Sequence, residues 1–194
     1  MSEFVSRAGL KLEHAVATFG IEVAGLICAD LGSNVGGFVD CLLRRGATKV
    51  YSIDTGYGVL DWKLRNDPRV VVMERTNAMH VTLPEPVDFV SIDVAWTKQR
   101  HILPAARRLL TFTGQVVTLI KPHYEAPTPL LRKGVLQPEK LDEVIEMVKA
   151  DIAKAGFSLL GLSPSPIKGA KGNIEYLAHL RPTATTEAAA LPHD

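Results

Sequence analysis

Three charged side chains sit where an apolar run stops or starts. Asp93 follows the run FVSI, Lys121 follows VVTLI, and Glu175 precedes YLAHL. A charge at the end of such a run is costly unless it is paired or used. If the runs are strands of one parallel sheet, their carboxyl ends share the edge where ligands bind, and an antiparallel last strand begins at that same edge. Asp93, Lys121 and Glu175 then converge. Position alone allows two readings, a structural Lys–Asp/Glu network at the sheet rim or a proton-transfer site. By position, Lys11 reads as a solvated lysine on an opening helix.

A second constellation is the loop Asp30-Leu31-Gly32-Ser33-Asn34-Val35-Gly36-Gly37-Phe38. Its glycines let the backbone turn sharply and approach a ligand at a helix N-terminus. It is not a P-loop, which needs Gly-Lys-Ser/Thr where this chain has Gly-Gly-Phe. It is not the dinucleotide pattern either, because the spacing is G-x-x-x-G-G and an acid, Asp30, stands two residues before the first glycine. A carboxylate there repels pyrophosphate but suits a sulfonium and an amino-acid moiety, which favours S-adenosylmethionine over NAD. Asp54 ends the next apolar run, where an acid can accept both ribose hydroxyls. The alternative is that Gly32, Gly36 and Gly37 only permit a tight turn.

Strands alternating with helices must position these residues. The spacing of Leu10, Leu12, Val16 and Phe19 predicts an opening helix stopped by Gly20. Short apolar runs predict strands over 26–31, 49–54, 70–73, 89–94, 115–120, 157–162 and 174–180. Helices are expected over 38–45, 60–65, 101–110 and 138–155, the last with Leu141, Val144, Ile145, Val148 and Ile152 on one face. The pattern implies an α/β fold, Rossmann-like, with a mostly parallel seven-stranded sheet. The last two strands leave no room for a helix between them and are expected to form an antiparallel hairpin at its far side, as in Rossmann-like methyltransferases. One domain is expected over 1–181, with 182–194 a frayed tail.

Bulk properties exclude several classes. The 194 residues are 46% hydrophobic and 22% charged, a globular balance, and the net charge of +1 leaves any basic surface local. Cys28 and Cys41 sit in apolar stretches with no metal-ligand spacing, so they read as buried thiols and no metal is expected. No apolar run approaches the ~18–20 residues a membrane span needs, and no signal peptide is seen, so a cytoplasmic location is expected.

The segments SRAGLKLEHA, DLGSNVGGFVDCLLRRGATKVYSIDTGYGVLDWKLRNDPRVVVMERTNA, VDFVSIDV, LIKPHYE and GFSLLGLSPSPIKGAKGNIEYLAHL span Val5 to Leu180. In them the chain resembles the FtsJ-like ribosomal RNA methyltransferases, most closely their TlyA (hemolysin A) branch. The resemblance implies a Lys-Asp-Lys-Glu catalytic set, which falls on Lys11, Asp93, Lys121 and Glu175, and so moves Lys11 from solvated lysine to site residue. It implies an S-adenosylmethionine site at Asp30, Gly32, Ser33, Gly36, Gly37 and Phe38, with Asp54 on the ribose, Asn77 beside the adenine and Asp93 near the methyl group. It implies methylation of ribose 2′-hydroxyls of ribosomal RNA, with Lys121 as the base, Lys11 lowering its pKa, and the two acids orienting the lysines.

Members of the branch carry an N-terminal S4-type RNA-binding domain. This chain begins almost at SRAGLKL, so that domain is expected to be absent. The stretch HYEAPTPLLRKGVLQP is proline-rich, unlike the glycine- and charge-rich segment of the branch, and leaves the target nucleotide unassigned. Arg7, Lys63, Arg65, Lys98, Arg100, Arg132, Lys133, Lys168 and Lys171 are either solvated surface or a rim that tracks phosphates. Trp62, Trp96 and Tyr124 are expected to pack in the core rather than stack on bases. The competing functions are a small-molecule methyltransferase, a non-catalytic S-adenosylmethionine- or RNA-binding protein, and a haemolysin.

Overall fold

A computed structural model describes residues 4–183. The chain opens with helix α1 (Ala8–Phe19), which Gly20 ends in the left-handed conformation at φ 63°. Strand β1 (Ile27–Leu31) leads into α2 (Gly37–Arg44), and β2 (Lys49–Ile53) into the single-turn α3 (Trp62–Arg65). Next come β3 (Val70–Met73), β4 (Val87–Ile92), α4 (Gln99–Leu109) and β5 (Leu110–Ile120). A short α5 (Pro122–Glu125) and a tight hairpin, β6 (Leu131–Arg132) with β7 (Val135–Leu136), precede α6 (Leu141–Lys154). Strands β8 (Phe157–Pro164) and β9 (Tyr176–Pro182) complete the described chain.

The main sheet has the order β3-β2-β1-β4-β5-β9-β8. Neighbours from β3 to β5 run parallel, whereas β9 is antiparallel to both β5 and β8. This is the expected seven-stranded Rossmann-like sheet with one reversed strand. It follows from the sequence because β1, β2 and β4 are almost wholly buried and therefore built mostly from apolar residues.

Two apolar layers cover the faces. On one, Leu12 and Val16 of α1 join Phe38, Leu42 and Leu43 of α2 against Val50, Phe89 and Val117. On the other, Ile102, Leu103 and Ala106 of α4 join Ile145, Val148 and Ile152 of α6 against Val90, Val116 and Leu180. Each fully buried aliphatic side chain contributes about 1.5–3 kcal/mol. Cys28 and Cys41 are free and buried within the first layer, as expected.

Some boundaries differ from the sequence reading for physical reasons. The helix expected over 138–155 begins as a 3₁₀ turn at Pro138–Lys140. The regular β5 ladder does start at Gln115, but the strand extends back to Leu110 across a bulge opposite Val87–Phe89. The β6–β7 hairpin and α5 fall inside the segment read as a proline-rich loop. Pro182, placed in the frayed tail by sequence, ends β9 and pairs with Phe157; the tail from 184 onward lies outside the described residues.

Candidate active site

The loop after β1 is shaped by three positive-φ residues, Gly32, Asn34 and Gly36. Gly32, at φ 88°, and Ser33 both donate their N–H to Ile53 O, at 2.9 and 3.1 Å. A Cβ on Gly32 would lie 2.7 Å from the Asp93 carbonyl oxygen, so only glycine lets β1 and the end of β4 meet here. Gly36, at φ 101°, faces Leu60 and Leu64 rather than a cavity. Gly37 serves a helix contact: its Cβ would lie 2.8 Å from Gly9 N and against Ser6 Oγ. That close approach brings the start of α1 against α2, which places Lys11 one turn further along.

Two adjoining cavities, of about 320 and 450 Å³, lie at the carboxyl edge of the sheet, and Gly32, Asn34 and Asp93 line both. The first adds Asp30, Ser33, Gly37, Phe38, Lys121 and the α1 approach Ser6–Ala8; the second adds Asp54 and Asn77. The residues suit an amino acid joined to a nucleoside. Asp30 is fully buried; its Oδ1 accepts from Ser91 Oγ at 2.7 Å, while Oδ2 has no partner among the described residues. Burial pushes its carboxyl up to about 7. An orphaned buried carboxylate oxygen in a cavity wall is a ready partner for an ammonium group.

Asp54 is more occupied than its sequence position suggests. Its oxygens accept from Asn34 N at 2.8 Å and Gly56 N at 2.7 Å. Each oxygen keeps a second lone pair for a ribose hydroxyl. Asn77 Oδ1 accepts from Met79 N at 2.9 Å, which fixes the amide, and Asn77 lines the second cavity.

The four charged residues form two ion pairs. Lys121 Nζ lies 2.6 Å from Asp93 Oδ1 and donates to Val94 O at 2.9 Å. Lys11 Nζ lies 2.6 Å from Glu175 Oε2, with side chains only 9% and 4% exposed. Ile120 pairs with Tyr176 in the antiparallel β5–β9 ladder, so Lys121 and Glu175 face each other one step beyond it. α1 is pinned on β8 by His14 Nε2 and Ser163 Oγ, 3.0 Å apart. The connection before β9 wraps Glu175: a Cβ on Gly169 would collide with its carboxylate, and Ser165 N donates to Glu175 O at 2.8 Å.

Several features were not visible in the sequence. Gln99 N donates to Glu125 Oε1 at 2.9 Å, Thr118 Oγ1 to Gln99 Oε1 at 2.8 Å, and Lys98 Nζ to Glu125 O at 2.8 Å. This buried network ties the segment after Asp93 to the segment after Lys121; burial raises the Glu125 carboxyl above its usual range. His123, two residues past Lys121, is buried, and its Nδ1 has no partner among the described residues. Burial and the Lys121 charge hold its imidazole below the usual range, against the pull of Glu175. The expectation that the tryptophans pack in the core is overturned: Trp62 is 74% and Trp96 79% exposed. Trp96 lines the second cavity, three residues from Asp93. Trp62 opens the single-turn α3 and Trp96 lies in the loop after β4, and both rings face outward. Tyr124 instead packs on His123, ring centroids 4.1 Å apart.

Comparison with known proteins fits this geometry. The FtsJ-like methyltransferase family matches residues 4–182. The chain is 43% identical to "Hemolysin A" of Brachyspira hyodysenteriae over 91% of its length and 76% of that protein. It is 40% identical to "16S/23S rRNA (cytidine-2'-O)-methyltransferase TlyA" of Mycobacterium tuberculosis over 92% of its length and 68% of that protein. A solved Streptococcus thermophilus structure carrying the hemolysin name superposes with a TM-score of 0.92 at 42% identity, covering 95% of this chain and 69% of that one. No helix among the described residues is long and apolar enough to cross a membrane.

Proposed function

Because the chain belongs to the FtsJ-like methyltransferase family and is an S-adenosylmethionine-dependent methyltransferase, we propose that it methylates a ribose 2′-hydroxyl of ribosomal RNA through Lys11, Asp93, Lys121 and Glu175. The observation that carries this reading is the pair of lysine–acid contacts beside the cofactor-sized crevice, with Lys121 in its wall. The names of the relatives support the RNA substrate.

When bound, S-adenosylmethionine supplies an electrophilic methyl group. The protein holds it through Asp30 and the 32–37 backbone at the amino-acid end, Asp54 at the ribose and Asn77 at the adenine. A 2′-hydroxyl is a weak nucleophile that must lose its proton as it attacks. Lys121 receives that proton. Asp93 and Val94 O occupy two of the directions around its Nζ, leaving the third for the substrate. Lys11, held 2.6 Å from Glu175, stabilises the developing alkoxide. The remaining rate comes from alignment of oxygen, methyl and sulfur. Trp96, exposed near Asp93, stacks on the base of the reacting nucleotide, and Arg7 in the crevice wall contacts phosphate. Such an open, aromatic rim suits a macromolecule better than a small metabolite. A ribosomal substrate sets the cytoplasm as its place of work.

The test uses tritiated methyl donor with naked ribosomal RNA, isolated subunits and intact ribosomes from an unmethylated source. Label in RNA that disappears with Lys121→Ala, while cofactor binding persists, supports the reading. Undiminished transfer by Lys121→Ala removes Lys121 as the base, and no label in any RNA removes the RNA substrate.

A further inference from the structure

Glu125 is a buried carboxylate near the site that the transfer scheme above does not use. It ends α5, four residues after Lys121, and is 7% exposed. Its Oε1 accepts from Gln99 N, at the first residue of α4, at 2.9 Å, and its carbonyl oxygen accepts from Lys98 Nζ at 2.8 Å. We propose that Glu125 is a positioning residue for methyl transfer: it latches the 94–98 loop, which carries Trp96, onto the segment that carries Lys121.

The connections close into a ring. Lys121 O accepts from Tyr124 N at 2.8 Å and from Glu125 N at 3.3 Å, so the turn of α5 sets Glu125 relative to the lysine backbone. Glu125 grips Lys98 and Gln99 at the far end of the loop. At the near end Lys121 Nζ donates to Val94 O at 2.9 Å and lies 2.6 Å from Asp93 Oδ1. Between these ends Ala95, Trp96 and Thr97 make no hydrogen bond among the described residues, so hydrogen bonding holds the loop only at its two ends. A helix start is ordinarily capped by a Ser, Thr, Asp or Asn beside it. α4 has Lys98 there, which makes no side-chain cap, and Glu125 supplies the acceptor from across the site. A local cap would serve the helix equally; one from the segment after Lys121 also couples the loop to the base. Burial raises the Glu125 carboxyl above its usual range, and in either protonation state Oε1 can accept. The latch therefore needs the acceptor and not the charge. Without it Val94 O, one of the two partners that aim Lys121 Nζ, is free to shift, and a small displacement of a reacting group is costly in rate. The proposal rests on the reading of Lys121 as the base.

The test compares Glu125→Met, which keeps the length of the side chain and removes the acceptor, with Glu125→Gln, which keeps both. At saturating cofactor and RNA, Glu125→Met is expected to lower kcat about tenfold, and Glu125→Gln to match wild type within about twofold. Hydrogen exchange followed by mass spectrometry, without RNA, is expected to show the amides of 94–101 exchanging about fivefold faster in Glu125→Met, with those of β1, β4 and β5 unchanged. Lys98→Met cuts the second tie from a half-buried position and serves if Glu125→Met does not fold. It is expected to lower kcat about threefold, whereas loss of a phosphate contact acts on KM. A cap that only stabilises α4 lowers Tm and leaves kcat per folded molecule as it is. Unchanged kcat in the methionine variants, an equal loss in Glu125→Gln, or unchanged exchange of 94–101 overturns the proposal. Wild type that labels no RNA removes the RNA reading itself, while faster exchange in Glu125→Met still upholds the latch.

Discussion

The Lys11–Glu175 pair gives a prediction whose size follows from its burial. Lys11→Met keeps the length of the side chain and removes the charge. It leaves the Glu175 carboxylate, 4% exposed, without its cation. Breaking a buried pair from one side costs about 3–5 kcal/mol. At about 2–4 °C per kcal/mol for a protein of this size, Tm falls by the order of 10 °C. Glu175→Gln strands the lysine and is expected to cost a similar amount. The double variant Lys11→Met/Glu175→Leu removes both charges, and most of the loss is expected to return. If the pair serves the reaction, this variant is as stable as wild type and yet transfers no methyl group. The assay is urea denaturation followed by circular dichroism without cofactor, beside tritium transfer on the same samples. A loss below about 1 kcal/mol for Lys11→Met means that the pair behaves as a solvated surface contact and refutes the burial argument. A double variant with wild-type transfer refutes the role in chemistry.

Other perturbations read other parts of the site. Asp30 has its carboxyl raised from 3.8 to about 7 by burial. Between those values the folded state holds a proton that the unfolded chain has released, so this group makes stability fall as pH rises from about 4 to about 7. Asp30→Asn is expected to flatten that slope in denaturant titrations at several pH values. If, as proposed, the ionised form pairs with the ammonium end of the cofactor, affinity for S-adenosylmethionine measured by calorimetry is expected to rise with pH through about 7 in wild type, and to be weaker and pH-independent in Asp30→Asn. Gly32→Ala forces a Cβ to 2.7 Å from Asp93 O at a positive φ; at least about 1 kcal/mol of destabilisation and loss of cofactor binding are expected, and unchanged affinity counts against the loop. Trp96→Ala is expected to raise KM for RNA about tenfold with cofactor Kd unaltered; a change confined to kcat contradicts the stacking role.

The parts of the site that the sequence made readable are those where local pattern and chemistry coincide. Asp54, Asp93 and Lys121 each end an apolar run and Asp30 stands one residue before the end of its own, and a parallel sheet sends such ends to one edge. The glycine spacing of 32–37 identified the loop, but its glycines proved to have separate tasks. Gly32 admits the Asp93 backbone and Gly37 admits α1, a tertiary contact that no local pattern encodes. Lys11 shows the same limit. Its helical position says only "solvated", and it is the packing of α1 on β9 and β8 that buries it against Glu175, 164 residues away. The Gln99–Glu125 network and the unpaired His123 were invisible because their meaning lies in long-range burial. Hydrophobicity alone sends Trp62 and Trp96 to the core, but one opens a single-turn helix and the other lies in the loop after β4, and both stay exposed.

The most direct measurement is the chemical position of the transferred methyl group. RNA labelled by the enzyme is digested to nucleosides and separated beside 2′-O-methyl and base-methyl standards. Label in a 2′-O-methylated nucleoside, absent with Lys121→Ala, is the predicted result. Label in a base-methylated nucleoside would contradict a lysine-assisted attack by the ribose hydroxyl.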